Sequence, residues 1–148
     1  MVAFGKALAK ELDLDLKLDQ MWCVFDVDDW NNAELRTAYD RAGQIIRISM
    51  SNPCFELWYL LHLISSTARL STASLSQREA LKRLEEQIPG YKKNKPITST
   101  IVESTQQDTS RNAEALRAYH QNNETDELSR EANPCTHVDK LVKQFRLP

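Results

Sequence analysis

Apolar residues follow two different spacings along the first half of the chain. Over residues 4–12 they recur at every fourth position, which predicts an amphipathic helix. Residues 21–25 form a short, continuous apolar run that stops at Asp26, and such a run is typical of a strand buried on both faces. A second run over residues 44–50 predicts another strand. The first half is therefore expected to alternate helices and strands.

The segment between the two predicted strands carries the signals of a helix. Asn31 can cap its start, Glu34 completes a capping box, and Gly43 follows the good helix formers of residues 33–42. A strand, a helix and a second strand in this order form a crossover that is right-handed, with parallel strands, in nearly all known cases. The two strands are therefore expected to be parallel.

Polar residues follow both strands at the edge where they end. Asp26 and Asp28 follow the first strand, and Ser49 and Ser51 lie at the end of the second. Open α/β sheets bind their ligands at the carboxyl ends of their strands. This edge is therefore the predicted place for a functional site.

An apolar helix is expected after the second strand. Asn52 can act as its N-cap, with the following proline at the first helical position, and residues 55–64 are apolar on nearly every side. Glu56 is the exception. A buried carboxylate without a partner costs several kcal/mol, so Glu56 needs either a metal ion or the lysines Lys92 and Lys93 nearby.

The second half of the chain is richer in Ser, Thr, Gln and charged residues. Amphipathic spacing predicts helices over residues 75–87 and 97–120, and the polar residues 121–133 predict a loop. Thr136 is expected to cap a last helix, with Asp139 at the capping-box position.

The length of 148 residues is that of a single domain. The predicted fold class is α/β. A small parallel sheet is expected over about residues 14–65, and a mainly helical extension over about residues 66–148.

Composition narrows the classes of function. With 3 glycines, the chain lacks the Gly-rich phosphate loops of Rossmann and P-loop proteins. A formal charge of -2 means that nucleic-acid binding must depend on local cations or a metal ion.

No apolar run approaches the ~20 residues that cross a bilayer, and the start does not resemble a signal peptide. No membrane partner and a cytoplasmic location are therefore expected. The 3 cysteines form no CxxC pair, which disfavours a disulfide framework and a zinc knuckle.

Three acidic residues mark the end of the first strand. Asp26 and Asp28, two residues apart and followed by Asp29, can share one hard divalent cation where a strand gives way to a loop. Acidic residues are also common in turns for conformational reasons. The spacing alone leaves both interpretations open.

Two superfamilies end a buried strand in this way. In the haloacid dehalogenase-like phosphatases the first aspartate is a nucleophile, and Asp26 with a strand-end Ser49 or Ser51 is similar to their first two motifs. Those enzymes continue with a Gly-Thr pair and a flap, whereas here Asp29-Trp30 leads directly into the predicted helix. The Toprim domain of primases, topoisomerases and OLD-type nucleases uses Asp-x-Asp to hold Mg²⁺ and needs no flap. The phosphatase stays an alternative to the Toprim comparison.

Longer segments make the resemblance more specific. Four segments resemble the RloB family, Toprim-related proteins of bacterial and archaeal restriction and abortive-infection loci. They are residues 22–29 (Trp-Cys-Val-Phe-Asp-Val-Asp-Asp), residues 51–62 (Ser-Asn-Pro-Cys-Phe-Glu-Leu-Trp-Tyr-Leu-Leu-His), residues 91–93 (Tyr-Lys-Lys) and residues 133–136 (Asn-Pro-Cys-Thr). The resemblance covers about residue 14 to the C-terminus. It implies a Mg²⁺-dependent, nuclease-like site in phage defence.

The resemblance implies roles for individual residues. Asp26 and Asp28 would hold Mg²⁺ or Mn²⁺, with Asp29 or Glu56 in support. Phosphate or nucleic-acid contacts are expected from Ser51, Asn52, Lys92 and Lys93.

Toprim domains also carry a glutamate at the end of an earlier strand, thought to act as a general acid or base. The only glutamate before Asp26 is Glu11, in the predicted first helix. The chain is therefore expected to be a fragment or a degenerate member that lacks the first strand–helix part. By itself it is expected to cleave nucleic acid weakly or not at all, since a positioned acid or base contributes ~10²–10⁴-fold in rate.

The sequence also raises expectations about partners. A missing neighbour beside the strand over residues 21–25 would leave an open sheet edge, which invites another chain. An oligomer or heteromer is therefore expected, with RNA or DNA as the substrate. The other function considered is a non-catalytic interaction subunit that docks on a partner ATPase, a common neighbour of this family.

Overall fold

A computed structural model describes residues 2–15, 19–28, 30–70, 74–92 and 99–145. Asp29 and Lys93, two of the predicted site residues, lie outside the described residues. In chain order the helices and strands are α1 (Val2–Glu11), β1 (Met21–Asp26), α2 (Asn32–Ala42), β2 (Ile46–Asn52), α3 (Glu56–Leu60), α4 (Ser74–Gln87), α5 (Ser99–Asn122), β3 (Cys135–Thr136) and α6 (Val138–Val142). A short 3₁₀ helix, Lys143–Phe145, follows α6.

The described strands form one sheet in the order β1-β2-β3. β1 and β2 are parallel, with Asp26 opposite Ser51, as the strand–helix–strand pattern predicts. β3 is antiparallel to β2 and places Thr136 opposite Ser51. The predicted α/β class is confirmed, and the long helices α4 and α5 make the second half mainly helical.

The capping box predicted for α2 is present. The side chain of Asn31 accepts a hydrogen bond from the Glu34 backbone N–H (3.0 Å), and the Glu34 carboxylate accepts one from the Asn31 N–H (2.8 Å). Gly43 follows the last residue of α2 with a φ of 59°, in the left-handed region that glycine tolerates without steric cost. These local signals fix both ends of the crossover helix.

The helix after β2 is shorter than its apolar composition predicts. The predicted N-cap at Asn52 is wrong, because Asn52 is the last residue of β2 and α3 begins only at Glu56. The Asn52 side-chain amide instead donates to backbone carbonyls of a distant loop. The prediction of a central, buried helix is confirmed. The core around α3 contains Cys54, Leu57, Trp58, Leu61, Leu70, Ala80, Ala113, Leu116 and Val138.

The cap predicted at Thr136 is also wrong. Thr136 belongs to β3, and its hydroxyl forms a 2.9 Å hydrogen bond with the hydroxyl of Ser51. His137, not Thr136, is the residue that precedes α6, although the Thr136 hydroxyl also accepts a 3.3 Å hydrogen bond from the backbone N–H of Val138, the first residue of that helix. The short strand β3 therefore ties the C-terminal segment to the end of β2.

Asp139 forms a buried ion pair instead of completing a capping box. Both carboxylate oxygens accept from the Arg117 guanidinium, at 2.7 and 2.8 Å. Arg117 also donates to the Thr136 carbonyl at 2.6 Å. One arginine of α5 therefore holds both β3 and α6 in place.

One edge of β1 carries no neighbouring strand within the described ranges, since β1 pairs with β2 alone. Val24 in the middle of β1 is 45% exposed and Phe4 on α1 is 71% exposed. A groove of about 240 Å³ lies between α1, α2 and one face of β1; its lining includes Ala3, Cys23, Phe25, Trp30 and Ala38. In the part of the chain that the structure describes, no helix has the length and apolar character needed to cross a membrane.

Candidate metal centre

The turn after β1 is fixed against the end of β2. The backbone N–H of Val27 donates to the Ser51 carbonyl at 2.9 Å, and that of Asp28 donates to the Pro53 carbonyl at 3.1 Å. Asp26, the last residue of β1, and Asp28 therefore both lie at the carboxyl edge of the parallel pair. The sequence predicts this juxtaposition, and the hydrogen bonds show what holds it.

Asp28 has an uncommon backbone conformation. Its φ is 38°, in the left-handed region that L-residues seldom adopt and that Asp and Asn tolerate best. Residues held in such conformations are found preferentially at active sites and ligand clamps. The hydrogen bond from Asp28 to Pro53 keeps the turn in this conformation.

Glu56 lies at the start of α3 and is 4% exposed. Burial raises the pKa of the nearby Cys54 thiol, and the Glu56 carboxylate raises it further through its charge and a hydrogen bond. The charge of Asp26 also acts on the Cys54 pKa in the same direction. Glu56 and Asp26 therefore both lie near the Cys54 thiol.

Tyr91 lies near Glu56 and directly precedes Lys92. The ring of Tyr91 is buried and contacts the Tyr59 ring, with 6.5 Å between centroids. Burial raises the pKa of Tyr91, and the charge of Glu56 contributes to the shift. Lys92, the next residue, is exposed. The predicted phosphate-binding lysine therefore follows directly on a residue that lies near Glu56.

Ser51 and Asn52 have structural partners in the described chain. Both are buried, and the Ser51 hydroxyl bonds to Thr136. The Asn52 amide donates to the carbonyls of Ser129, Arg130 and Ala132. Their predicted phosphate contacts stay a prediction, and the structure shows that both side chains connect β2 to the C-terminal segment.

The sequence does not predict a role for Arg130. In the structure Arg130 lies beside the turn after β1 that contains Val27 and Asp28, called the aspartate turn below. Its guanidinium Nη2 is 3.5 Å from the Asp28 carbonyl oxygen. The two residues are 102 positions apart, and Arg130 lies in the segment over residues 121–133 that the sequence predicts only as a loop. No motif or periodicity of the chain signals this contact.

The oxygen donors at this edge suit Mg²⁺ in type. Asp26 and Asp28 supply carboxylate oxygens, and Mg²⁺ in proteins is usually held by one or two carboxylates, with water and phosphate oxygens completing an octahedral shell. Within the described ranges, no group of three or more His, Cys, Asp or Glu side chains forms a metal cluster. A cation here would therefore depend on two carboxylates and on ligands from solvent or substrate.

These features define a small α/β protein with a carboxylate edge at the ends of its parallel strands. The family model of RloB-like proteins matches residues 4–145. The chain therefore belongs to the RloB-like family, which confirms the resemblance found in its sequence. Neither the curated proteins nor the solved structures contain a match to it.

Proposed function

We propose that the chain is a Toprim-type, Mg²⁺-dependent nuclease module that acts on RNA or DNA in phage defence. The observation that carries the proposal is the position of two aspartates at the carboxyl edge of the parallel strands. Asp26 is the last residue of β1, and Asp28 lies in the following turn, which is hydrogen-bonded to the end of β2. Membership of the RloB-like family supports the same site. Mn²⁺ is the expected substitute for Mg²⁺.

The side chains divide the work between metal binding and proton transfer. Asp26 and Asp28 would hold the cation, which, when bound, stabilises negative charge on the phosphoryl oxygens. Glu56 is a buried carboxylate that shares the neighbour Cys54 with Asp26, and it is proposed to move a proton during cleavage. Lys92 would contact the phosphate backbone.

The proposal is tested with the purified chain and labelled tRNA, single-stranded RNA and duplex DNA. We expect binding of at least one substrate that increases with Mg²⁺ or Mn²⁺ and falls with EDTA, together with slow, metal-dependent cleavage. Glu56→Gln should reduce the cleavage rate by ~10²–10⁴-fold without changing Mn²⁺ affinity. Glu85→Gln, on the exposed surface of α4, is the matched control. The proposal would be contradicted if the chain neither binds nor cleaves any of these substrates with either metal.

The edge of β1 that has no neighbouring strand among the described residues favours a second candidate, a non-catalytic subunit that docks on another chain, either a second copy or a partner ATPase. A sheet edge with unpaired backbone groups is a template for strand addition. Val24 lies on this strand and is 45% exposed. If the edge is an interface, the aspartate turn can be retained without any nuclease activity.

Val24→Lys should weaken association at this edge at least tenfold, because a lysine on an edge strand opposes pairing. Light scattering over a concentration series, with and without the partner ATPase, measures the effect. Ile45→Lys is the control, since Ile45 is similarly exposed (47%) and precedes β2. The interaction-subunit candidate would be eliminated if the wild-type chain stays monomeric and does not bind the ATPase at any concentration.

A further inference from the structure

The loop after α5 is hydrogen-bonded to the last residue of β2, at the carboxyl edge of the sheet. The side-chain amide of Asn52 donates to the carbonyls of Ser129 (3.1 Å), Arg130 (3.1 Å) and Ala132 (2.8 Å). Asn52 is 3% exposed, so these hydrogen bonds are shielded from water. The last residue of β2 therefore fixes the backbone on both sides of Arg130.

A second set of hydrogen bonds holds the same loop to α2. The backbone N–H of Arg130 donates to the side-chain oxygen of Asn32 at 2.9 Å. The Asn32 amide in turn donates to the Glu131 carboxylate at 2.9 Å. The loop is thus attached to β2, to which the aspartate turn is hydrogen-bonded, and to α2, which follows that turn along the chain.

The guanidinium of Arg130 extends from this fixed backbone to the aspartate turn. It is partly buried, and its Nη2 lies 3.5 Å from the Asp28 carbonyl oxygen. A guanidinium has five N–H donors, and among the residues that the structure describes this long contact is the one hydrogen bond of the Arg130 side chain. Most of these donors therefore remain for a ligand. The geometry therefore places a cationic group beside the backbone of the turn that contains Asp28.

Arg130 differs from three other arginines of the chain in its ionic partners. Arg83, Arg111 and Arg117 each form an ion pair with a carboxylate. Within the described ranges, no carboxylate lies at ion-pair distance from Arg130, and its neighbour Glu131 is hydrogen-bonded to Asn32. The charge of Arg130 lowers the pKa of Glu131, but the two side chains form no ion pair. A positioned arginine that forms no ion pair with the described residues is suited to an anion supplied by a ligand.

We infer that Arg130 is a phosphate-binding residue of this site, in addition to Lys92, and that it contacts the nucleic-acid backbone beside the metal that Asp26 and Asp28 would hold. The inference rests on the proposed function for the identity of the anion. Contact with a phosphate carries no sequence information, so Arg130 should strengthen binding to RNA of any sequence.

The test is a salt titration of binding to a fluorescent single-stranded RNA, in Mg²⁺ and in EDTA. Arg130→Ala should raise Kd about 10–100-fold, as expected for the loss of a hydrogen bond to a charged group. It should also reduce the slope of log K against log salt by about 0.7, the value for one phosphate contact on a single strand. Arg130→Lys should keep the slope while losing part of the affinity, because it retains the charge but not the planar fork.

Arg111→Ala is the matched control, since it removes one exposed arginine from α5, and it should leave both Kd and slope near wild type. Equal effects of Arg130→Ala and Arg111→Ala would overturn the inference. So would a loss of binding in both Arg130 variants that accompanies a fall in Tm, because it would indicate a structural role.

A Mn²⁺ titration of the same proteins separates this inference from the proposed function. Arg130→Ala should bind Mn²⁺ as wild type does. If the wild type binds no Mn²⁺ but its RNA affinity in EDTA still depends on Arg130, the metal-dependent function fails and the phosphate contact stands. If Mn²⁺ binds but RNA affinity ignores Arg130, the inference fails and the metal site stands.

Discussion

Replacing Asp26 with asparagine should raise the Kd of the protein for Mn²⁺ at least about a hundredfold. Outer-shell partners of metal ligands already contribute about 10–100-fold to affinity, and a direct carboxylate ligand is expected to contribute at least as much. Isothermal titration of Mn²⁺ into the wild type and the variant measures the change. Binding of RNA in Mg²⁺ should weaken in parallel if, as proposed, the cation that Asp26 helps to hold also contributes to phosphate binding.

Asp108→Asn is the control for this experiment. Asp108 is an exposed carboxylate on α5 whose partner is Arg111, so its replacement removes the same charge at a distance from the aspartate turn. Its Mn²⁺ affinity should equal that of the wild type. Equal affinities for Asp26→Asn and Asp108→Asn would contradict a metal site at the end of β1.

Asp139→Asn should lower the free energy of unfolding by about 3–5 kcal/mol, the cost of breaking a buried ion pair by removing one partner. Asp139 is fully buried and binds both terminal nitrogens of Arg117. The same arginine holds the Thr136 carbonyl, so the variant should also loosen β3. Urea denaturation at neutral pH measures the loss, and Asp108→Asn should cost at most about 1 kcal/mol because its ion pair is exposed.

The loss should depend on pH in a defined direction. Burial opposes ionisation of Asp139, but the hydrogen bonds and charges of Arg117 and Lys143 together outweigh it and hold the Asp139 pKa below its ordinary value of 3.8. This contribution to stability is therefore complete above about pH 5 and decreases as the pH falls below 3.8. The difference between wild type and Asp139→Asn should shrink over that acid range. A difference that stays constant from neutral pH to pH 2 would contradict this role of the carboxylate.

The part of the fold that sequence predicts well is the part built from neighbouring residues. The apolar run over residues 21–25, the capping box of Asn31 and Glu34, and Gly43 all act within a few positions. They define β1, α2 and the approach to β2 without help from distant segments. The two carboxylates of the turn are predictable for the same reason, since they follow directly on a buried strand.

The C-terminal segment is not predictable in this way because its structure depends on distant contacts. Ser51 meets Thr136 across 85 positions, and Asn52 meets Ala132 across 80. A strand of two residues, such as β3, has no periodicity to recognise. From their neighbours alone, Asn52 and Thr136 are typical helix caps. Asn52 instead holds the loop after α5, and Thr136 bonds to Ser51 of β2 as well as to the Val138 N–H at the start of α6.

The candidate site shows the same division. Glu56 is identifiable from sequence because a carboxylate is unusual in an apolar helix. Arg130 is not, because only folding of the loop after α5 against Asn52 and Asn32 brings it to the Asp28 turn.

The most direct test of the central claim is to locate the cation on the chain. Fe²⁺ in place of Mg²⁺, with ascorbate and peroxide, generates hydroxyl radicals that cut the backbone next to the bound ion. Mass spectrometry of the wild type should show cuts at residues 26–28 and 53–56, and these cuts should be absent from the Asp26→Asn/Asp28→Asn double variant. Cuts confined to other segments, or the same cuts in the double variant, would contradict a metal centre at the carboxyl edge of β1 and β2.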